Sequence, residues 1–179
     1  ETAIIFITLP VIVLVSCLIY LEDKGPIFYT QTRSGLNGKI IKIIKFRSMH
    51  VNAEIDGIQW SKNNDKRITR IGRILRALRI DELPQLFCVI FGSMSLIGPR
   101  PERPEIEKKL FKKVPYYKSR YILKHGISGW AQVNYHYGAS VADTKQKLSY
   151  DIYYISNFSF FLDLLICLLY TSDAADDAS

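Results

Sequence analysis

The chain begins with an almost unbroken apolar run, Ala3 to Leu21. At about 1.5 Å of rise per residue, a helix of that length reaches across the hydrocarbon core of a bilayer. Pro10 falls inside the run, and an internal proline removes a backbone hydrogen bond and kinks a helix. The pattern fits either a plain span that tolerates the proline or a broken helix that enters one leaflet and returns to the same face. The period then changes. Ile27 to Thr32 is apolar, aromatic and β-branched, Ser34 to Gly38 supplies turn residues, and Lys39 to Phe46 is β-branched again, which predicts a β-hairpin. At its end Lys45 and Arg47 alternate with Phe46, so both are expected on one side of a strand, as a solvated face or as a phosphate-binding pair. His50 to Lys66 is polar and reads as a loop or short helix.

A helical period returns between Arg67 and Ile80. Arg67, Arg70, Arg73, Arg76 and Arg79 recur every third residue beside Ile68, Ile71, Ile74, Leu75 and Leu78. The spacing predicts a helix with a basic stripe next to an apolar one. Such a helix suits an anionic membrane surface, and equally a core-facing helix with a solvated basic face. Asp81 and Glu82 follow at once. Pro84 fits the first turn of a new helix with Leu86 to Phe91 as its apolar body, which puts the acidic pair at that helix's N-terminus. Ile97 to Pro104, with prolines at 99, 101 and 104, predicts an extended loop displaying Arg100 and Arg103. Glu105 to Lys118 reads as a helix up to Pro115, and His125 to Ser140 as a Gly-punctuated segment with a β-like centre. Val141 to Ile166 reads as one amphipathic helix rich in Tyr and Phe. Those residues favour a membrane interface.

Composition narrows the class. The 179 residues carry 48% hydrophobic residues and a formal charge of +7, enough for a packed domain with a preference for anionic partners. Cys17, Cys88 and Cys167 are scattered, as are His50, His125 and His136, so neither a disulfide framework nor a zinc site is expected. The closing "CLLYTSDAADDAS" is acidic and of low complexity. We expect the native reading to stop near Ile166, with 167–179 a non-native tail.

The candidate chemistry centres on Asp81 and Glu82. Two carboxylates at a helix start are commonly caps. Here, however, the chain also offers Lys45, Arg47, Arg79, Arg100 and Arg103 in several separate elements. Converging Arg and Lys with a few carboxylates is what a pyrophosphate–metal site needs: Arg forks phosphate oxygens, carboxylates hold Mg²⁺, and a carboxylate can itself be the nucleophile. No Walker A loop is present. Nucleic-acid binding through the arginine stripe would leave the apolar segments without a purpose, and no nucleic-acid partner is expected.

The segments "GPIFYTQTRSGLNGK", "KFRSM", "DELPQLFCVIFGSMSLIGPRPERP", "GISGWAQVN" and "YDIYYISNFSFFLDL" occur in that order. Together they resemble the bacterial sugar transferases, the monotopic phosphoglycosyl transferases, over nearly all of Ala3 to Ile166. The Tyr-rich "NYHYGASVADTKQKLSYD" is most similar to the larger exopolysaccharide-initiating members, of which this chain would be the catalytic part. The resemblance implies an α+β, membrane-associated fold. It has a re-entrant helix at 1–22 broken at Pro10, a short hairpin, and interfacial helices around a catalytic core at 23–166. It implies a UDP-sugar and Mg²⁺ bound at the cytoplasmic face of the bacterial inner membrane. Asp81 would attack the sugar-bearing phosphate, and undecaprenyl phosphate would then accept the phosphosugar. Glu82 would bind metal or handle a proton. Lys45, Arg47, Arg79 and Arg100 would hold phosphates or nucleotide, Pro99 and Pro101 would shape the loop, and Asp151 is a further candidate. Leu9, His125 and His136 depart from the family pattern. The competing reading is a non-catalytic membrane-surface module, and homo-oligomer formation is left open.

Overall fold

The computed structural model describes residues 2–55, 57, 65–135 and 140–176, with backbone alone at 2–8 and 171–176. The first helix, α1 (Thr2–Glu22), runs through Pro10 as one element rather than two. Among the described residues no helix is long and apolar enough to cross a membrane. Ile12, Val15 and Ile19, on one helical stripe, pack with Phe46, Ile71, Leu75, Ile80 and Leu83. Leu9, Val13, Leu14, Leu18 and Leu21 of the same helix are exposed. The C-terminal end of α1 docks by hydrogen bonds. The Glu22 carboxylate accepts from the backbone N–H groups of Arg70 (2.7 Å) and Ile71 (3.0 Å), at the start of α2 (Arg70–Ala77). Thr69 caps the same helix, its Oγ1 accepting from Gly72 N at 2.9 Å.

Strands β1 (Phe28–Ser34) and β2 (Ile40–Phe46) form the expected antiparallel hairpin, in register from Phe28 opposite Phe46 to Ser34 opposite Ile40. Asn37 (φ 55°) and Gly38 (φ 73°) take the left-handed conformation that the turn requires. Ile43 of β2 packs with Cys88 and Met94, which seats α3 (Gln85–Ile90) against the hairpin.

A second pair of strands, β3 (Ser95–Ile97) and β4 (Gly126–Ser128), runs parallel. The approach is close. A Cβ at Gly126 would lie 2.2 Å from Gly98 N, and one at Gly98 (φ 159°) 2.4 Å from the Lys124 carbonyl oxygen. This contact fixes the proline-rich loop 98–103 beside β4, with Gly126 N donating to Pro99 O at 3.1 Å. Helix α4 (Pro104–Leu110), α5 (Trp130–Asn134), α6 (Val141–Asn157) and α7 (Phe160–Asp176) complete the fold. Leu110, Val114, Tyr117 and Leu148 form one core, and Ile97, Tyr154 and Ile166 another.

The α+β class stands, and four element boundaries differ from expectation. The helix expected over Arg67–Ile80 is α2 alone, because Thr69 caps its start and Arg79 turns left-handed (φ 53°) past its end. The stripe is therefore divided, with Arg67 paired to Asp65 at 2.6 Å. The helix expected from Glu105 ends at Leu110, and Tyr116 (φ 58°) leads into a 3₁₀ segment, Tyr117–Ile122. The helix expected over Val141–Ile166 is two helices, because Ser159 caps a new one: its Oγ accepts from Leu162 N at 3.3 Å. The second of these, α7, continues past Ile166 to Asp176. Asp81 and Glu82 do not cap α3. They lie in a 3₁₀ turn, Ile80–Glu82, and Pro84 occupies the position before α3 rather than its first turn.

Candidate active site

The chain reversal at Arg79 builds the site. α2 ends at Ala77, Leu78 N donates to Ile74 O at 3.0 Å, and Arg79 takes a left-handed conformation unusual for a residue with a side chain. The following 3₁₀ turn directs Asp81 and Glu82 inward, and each is only 8% exposed. Buried carboxylates need partners. Glu82 has two. Lys45 Nζ, from β2, donates to its Oε1 at 2.8 Å. Arg100, from the proline-rich loop, donates Nη1 to Oε2 at 3.1 Å and Nη2 to Oε1. Arg100 Nη1 also donates to the Ile127 carbonyl of β4 at 3.0 Å. Two elements thus converge on one carboxylate, and β4 holds the second of them in place.

The two acids differ in electrostatic state. Burial alone would push Glu82 up, but the Arg100 and Lys45 cations outweigh it and hold its carboxyl well below the usual range. For Asp81, burial and then the Glu82 charge push the carboxyl up to about 6, against the downward pull of Lys45, Arg76 and Arg100. Burial also lowers the proton affinity of Lys45, and Glu82 offsets part of that loss.

Behind Arg100 stands a buried clamp. Arg120 donates Nε to Asp151 Oδ2 at 2.6 Å, Nη1 to the Tyr117 hydroxyl at 2.6 Å, and Nη2 to the Arg100 carbonyl at 2.7 Å. Asp151 therefore holds the backbone of the Arg100 loop through Arg120. Arg120 was not legible in the sequence, because its partner lies 31 residues away. Pro99 is fully buried, and the Pro101 carbonyl accepts from Arg33 Nη1 at 2.9 Å.

Arg47, expected in a phosphate-binding pair with Lys45, and Arg103 are both turned elsewhere. Arg47 lies one residue past the end of β2 and its guanidinium engages the Asp23 carbonyl, with Nη1 3.9 Å from the Asp23 carboxylate. It ties the hairpin to the end of α1 rather than pairing with Lys45. Arg103 donates Nη2 to the Tyr29 hydroxyl at 2.9 Å and pairs with Glu54. Arg79 reaches toward α7, its guanidinium 4.5 Å from the centroid of the Tyr170 ring. Tyr170 feels the charges of Glu82 and Arg100, so this residue of the expected tail borders the site. His125 is fully buried against Tyr121 (ring centroids 5.7 Å apart), and burial and then Arg120 lower its pKa to about 3. It is thus a neutral packing residue behind β4. His136 lies outside the described residues.

The donor chemistry of Asp81 and Glu82 fits Mg²⁺, which takes one or two carboxylates and completes its shell with phosphate oxygens and water. Burial and then the Glu82 charge raise the Asp81 carboxyl, and a cation beside it would oppose both. No group of three or more metal-ligating side chains occurs among the described residues.

The site is thus a buried carboxylate pair faced by converging Lys and Arg side chains, on a fold whose first helix is long and apolar. The chain belongs to the bacterial sugar transferase family, whose model matches residues 1–174. It is 47% identical over 157 residues to a UDP-N-acetylgalactosamine-undecaprenyl-phosphate N-acetylgalactosaminephosphotransferase of Aeromonas hydrophila, covering 88% of this chain and 37% of that protein. It is 39% identical over 166 residues to an undecaprenyl-phosphate glucose phosphotransferase of Komagataeibacter xylinus, covering 89% and 31%. It is 40% identical over 161 residues to a UDP-glucose:undecaprenyl-phosphate glucose-1-phosphate transferase of Caulobacter vibrioides, covering 89% and 60%. The chain thus spans about a third of the length of the first two relatives.

Proposed function

We propose that this chain transfers a sugar 1-phosphate from a UDP-sugar to undecaprenyl phosphate, releasing UMP. It would act at the cytoplasmic face of the bacterial inner membrane, as the first membrane step of exopolysaccharide or glycoconjugate synthesis. The observation that carries the reading is the division of labour within the acidic pair: Glu82 is neutralised by Lys45 and Arg100, while Asp81 beside it keeps a raised proton affinity. A carboxylate of raised basicity is the better nucleophile, and it is still ionised near neutral pH.

In the first step an Asp81 carboxylate oxygen bonds to the sugar-bearing phosphorus as the phosphorus–oxygen bond to UMP breaks, and UMP leaves with that electron pair. In the second, an oxygen of the lipid phosphate attacks the same phosphorus. The aspartyl–phosphorus bond breaks, the Asp81 carboxylate is restored, and a polyprenyl-diphosphate-sugar forms. Lys45 and Arg100 stabilise charge on the transferring phosphoryl oxygens. Asp81 and Glu82 would hold Mg²⁺, which supplies further neutralisation of phosphate charge. The exposed apolar faces of α1 and α7 would seat the site at the lipid surface, so that one carboxylate serves a soluble donor and a lipid acceptor. The re-entrant course of α1 and the role of Pro10 in it belong to the same proposal.

The test is radiolabel transfer from UDP-sugar to protein in lipid nanodiscs without polyprenol phosphate. Label on the wild type that Asp81→Asn lacks, chased into lipid on adding undecaprenyl phosphate, supports the reading. Undiminished lipid product from Asp81→Asn would sink it.

A further inference from the structure

Beside the Glu82 ion pairs lies a narrow recess, closed to a water molecule as it stands, lined by Arg33, Ile43, Lys45, Gln85, Arg100 and Pro101. Lys45 and Arg100 are accounted for above. Arg33 and Gln85 are not, and each has a property that simple packing leaves unexplained.

Gln85 is 2% exposed, and its amide Nε2 is buried without a hydrogen-bond partner. A buried amide donor left unmade costs about 1–3 kcal/mol, and native folds keep few such groups without a reason. Gln85 opens α3, four residues after Asp81, and its side chain lines the same recess as the Lys45 and Arg100 head groups.

Arg33 is held in place before any ligand arrives. Its Nε donates to Gln31 Oε1 at 2.7 Å, its Nη1 donates to the Pro101 carbonyl at 2.9 Å, and Glu102 lies 3.5 Å away. Burial lowers its proton affinity, Glu102 opposes that most strongly, and the Arg100 and Arg103 charges add smaller downward pulls. Three cations, Arg33, Lys45 and Arg100, therefore line one recess, Lys45 and Arg100 paired with Glu82 and Arg33 with Glu102 at its edge. An anion placed there gives the three head groups a shared counter-charge and the Gln85 amide its acceptor. Ile43 and Pro101 wall the recess, and the lining of cations and an amide donor suits a group that only accepts hydrogen bonds.

We propose that Arg33 and Gln85 complete a diphosphate-binding recess for the sugar nucleotide. The Gln85 amide donates to the phosphoryl group that Asp81 attacks, and Arg33 supports the phosphate that leaves with UMP. This rests on the functional reading above and extends it to two residues outside the acidic pair and its ion pairs. Because the recess is closed down by Lys45 and Arg100 leaning on Glu82, the incoming phosphates draw those head groups partly off that carboxylate.

The experiment measures UDP binding by calorimetry and single-turnover label transfer from UDP-sugar to the full chain in nanodiscs. The variants are Gln85→Glu, Gln85→Leu, Arg33→Gln and Asp81→Asn, each checked by its melting temperature. The account expects Gln85→Glu, which keeps shape but replaces the donor with a charged acceptor, to lose at least 30-fold in labelling rate. Gln85→Leu should do the same, and Arg33→Gln should weaken UDP binding at least 10-fold. If Gln85 instead only accepts a hydrogen bond from a neighbouring cation, Gln85→Glu keeps full labelling, and the proposal is overturned for that residue. Wild-type UDP affinity in Arg33→Gln overturns it for Arg33. If the lipid-dependent second half-reaction alone suffers, the recess serves the lipid phosphate and the nucleotide assignment is wrong. Full lipid product from Asp81→Asn is a different failure, because it removes the functional reading itself.

Discussion

Asp81 and Glu82 are neighbours in sequence and opposites in energy. The Asp81 carboxyl is pushed up, so the fold prefers it protonated. Its ionisation costs stability as pH rises from the unfolded value through about 6, and the cost is fully present at neutral pH. Asp81→Asn should therefore abolish labelling yet raise the melting temperature at pH 7.5, by roughly 1–3 kcal/mol of stability. Glu82→Gln should do the reverse to stability. It leaves Lys45 and the partly exposed Arg100 without their counter-charge, which should lower the melting temperature. Thermal melts of both variants check the pair, and matching shifts of one sign would contradict the assignment. The same raised pKa predicts that the rate of UMP release climbs with pH up to about 6 and levels off above it, as Asp81 becomes ionised. A flat profile from about pH 5 to 8 would count against Asp81 as nucleophile. At this scale the acidic pair and Arg100 were legible, because they sit in a distinctive local motif. Arg47 turns away from Lys45: the strand ends at Phe46, and one residue later the side chain reaches back to Asp23. Tyr170 was not legible, because the acidic, low-complexity residues that follow it carry no local motif and its partner Arg79 lies far away in sequence.

The elements matter through the loop that carries Arg100. Two contacts between distant segments fix it. One is the glycine-lined crossing of β3 and β4, where a Cβ at Gly126 would meet backbone at 2.2 Å. The other is the Asp151–Arg120 clamp on the Arg100 carbonyl. Asp151→Asn should leave Arg120 buried and uncompensated, lowering stability by about 3–5 kcal/mol. It should also lower kcat more than it raises KM for the UDP-sugar, because Asp151 positions Arg100 rather than touching substrate. A KM effect with kcat unchanged would instead mark Asp151 as a substrate contact. Hairpin and proline loop were readable from local turn chemistry: Asn37 and Gly38 take positive φ, and prolines exclude helix. The clamp was not, because nothing local in Tyr117–Ile122 announces that Arg120 reaches helix α6. The split at Ser159 was also hidden, since the apolar pattern of α6 and α7 runs on across the cap.

Over the whole molecule, exposed apolar side chains gather on helices. Leu9, Val13, Leu14, Leu18 and Leu21 lie on α1, and Phe160, Phe161, Leu164, Leu165, Leu168 and Leu169 on α7. That much exposed apolar surface marks an interaction site, and the proposed occupant is lipid. Phe160→Glu with Phe161→Glu should cut co-sedimentation with anionic vesicles at least several-fold while leaving the melting temperature within a few degrees, since both rings are exposed. Unchanged vesicle binding would remove α7 from the membrane-facing surface. The net charge of +7 adds an attraction to anionic lipid that raised salt should weaken.

The most direct test of the central claim is the covalent intermediate itself. Incubation with a panel of radiolabelled UDP-sugars, without lipid acceptor, should leave up to one phosphosugar per chain on the peptide containing Asp81, with an equal amount of UMP released. Adding undecaprenyl phosphate should then discharge the label into lipid. UMP release and lipid product with no label ever trapped on Asp81, under conditions where single turnover is complete, would contradict the account.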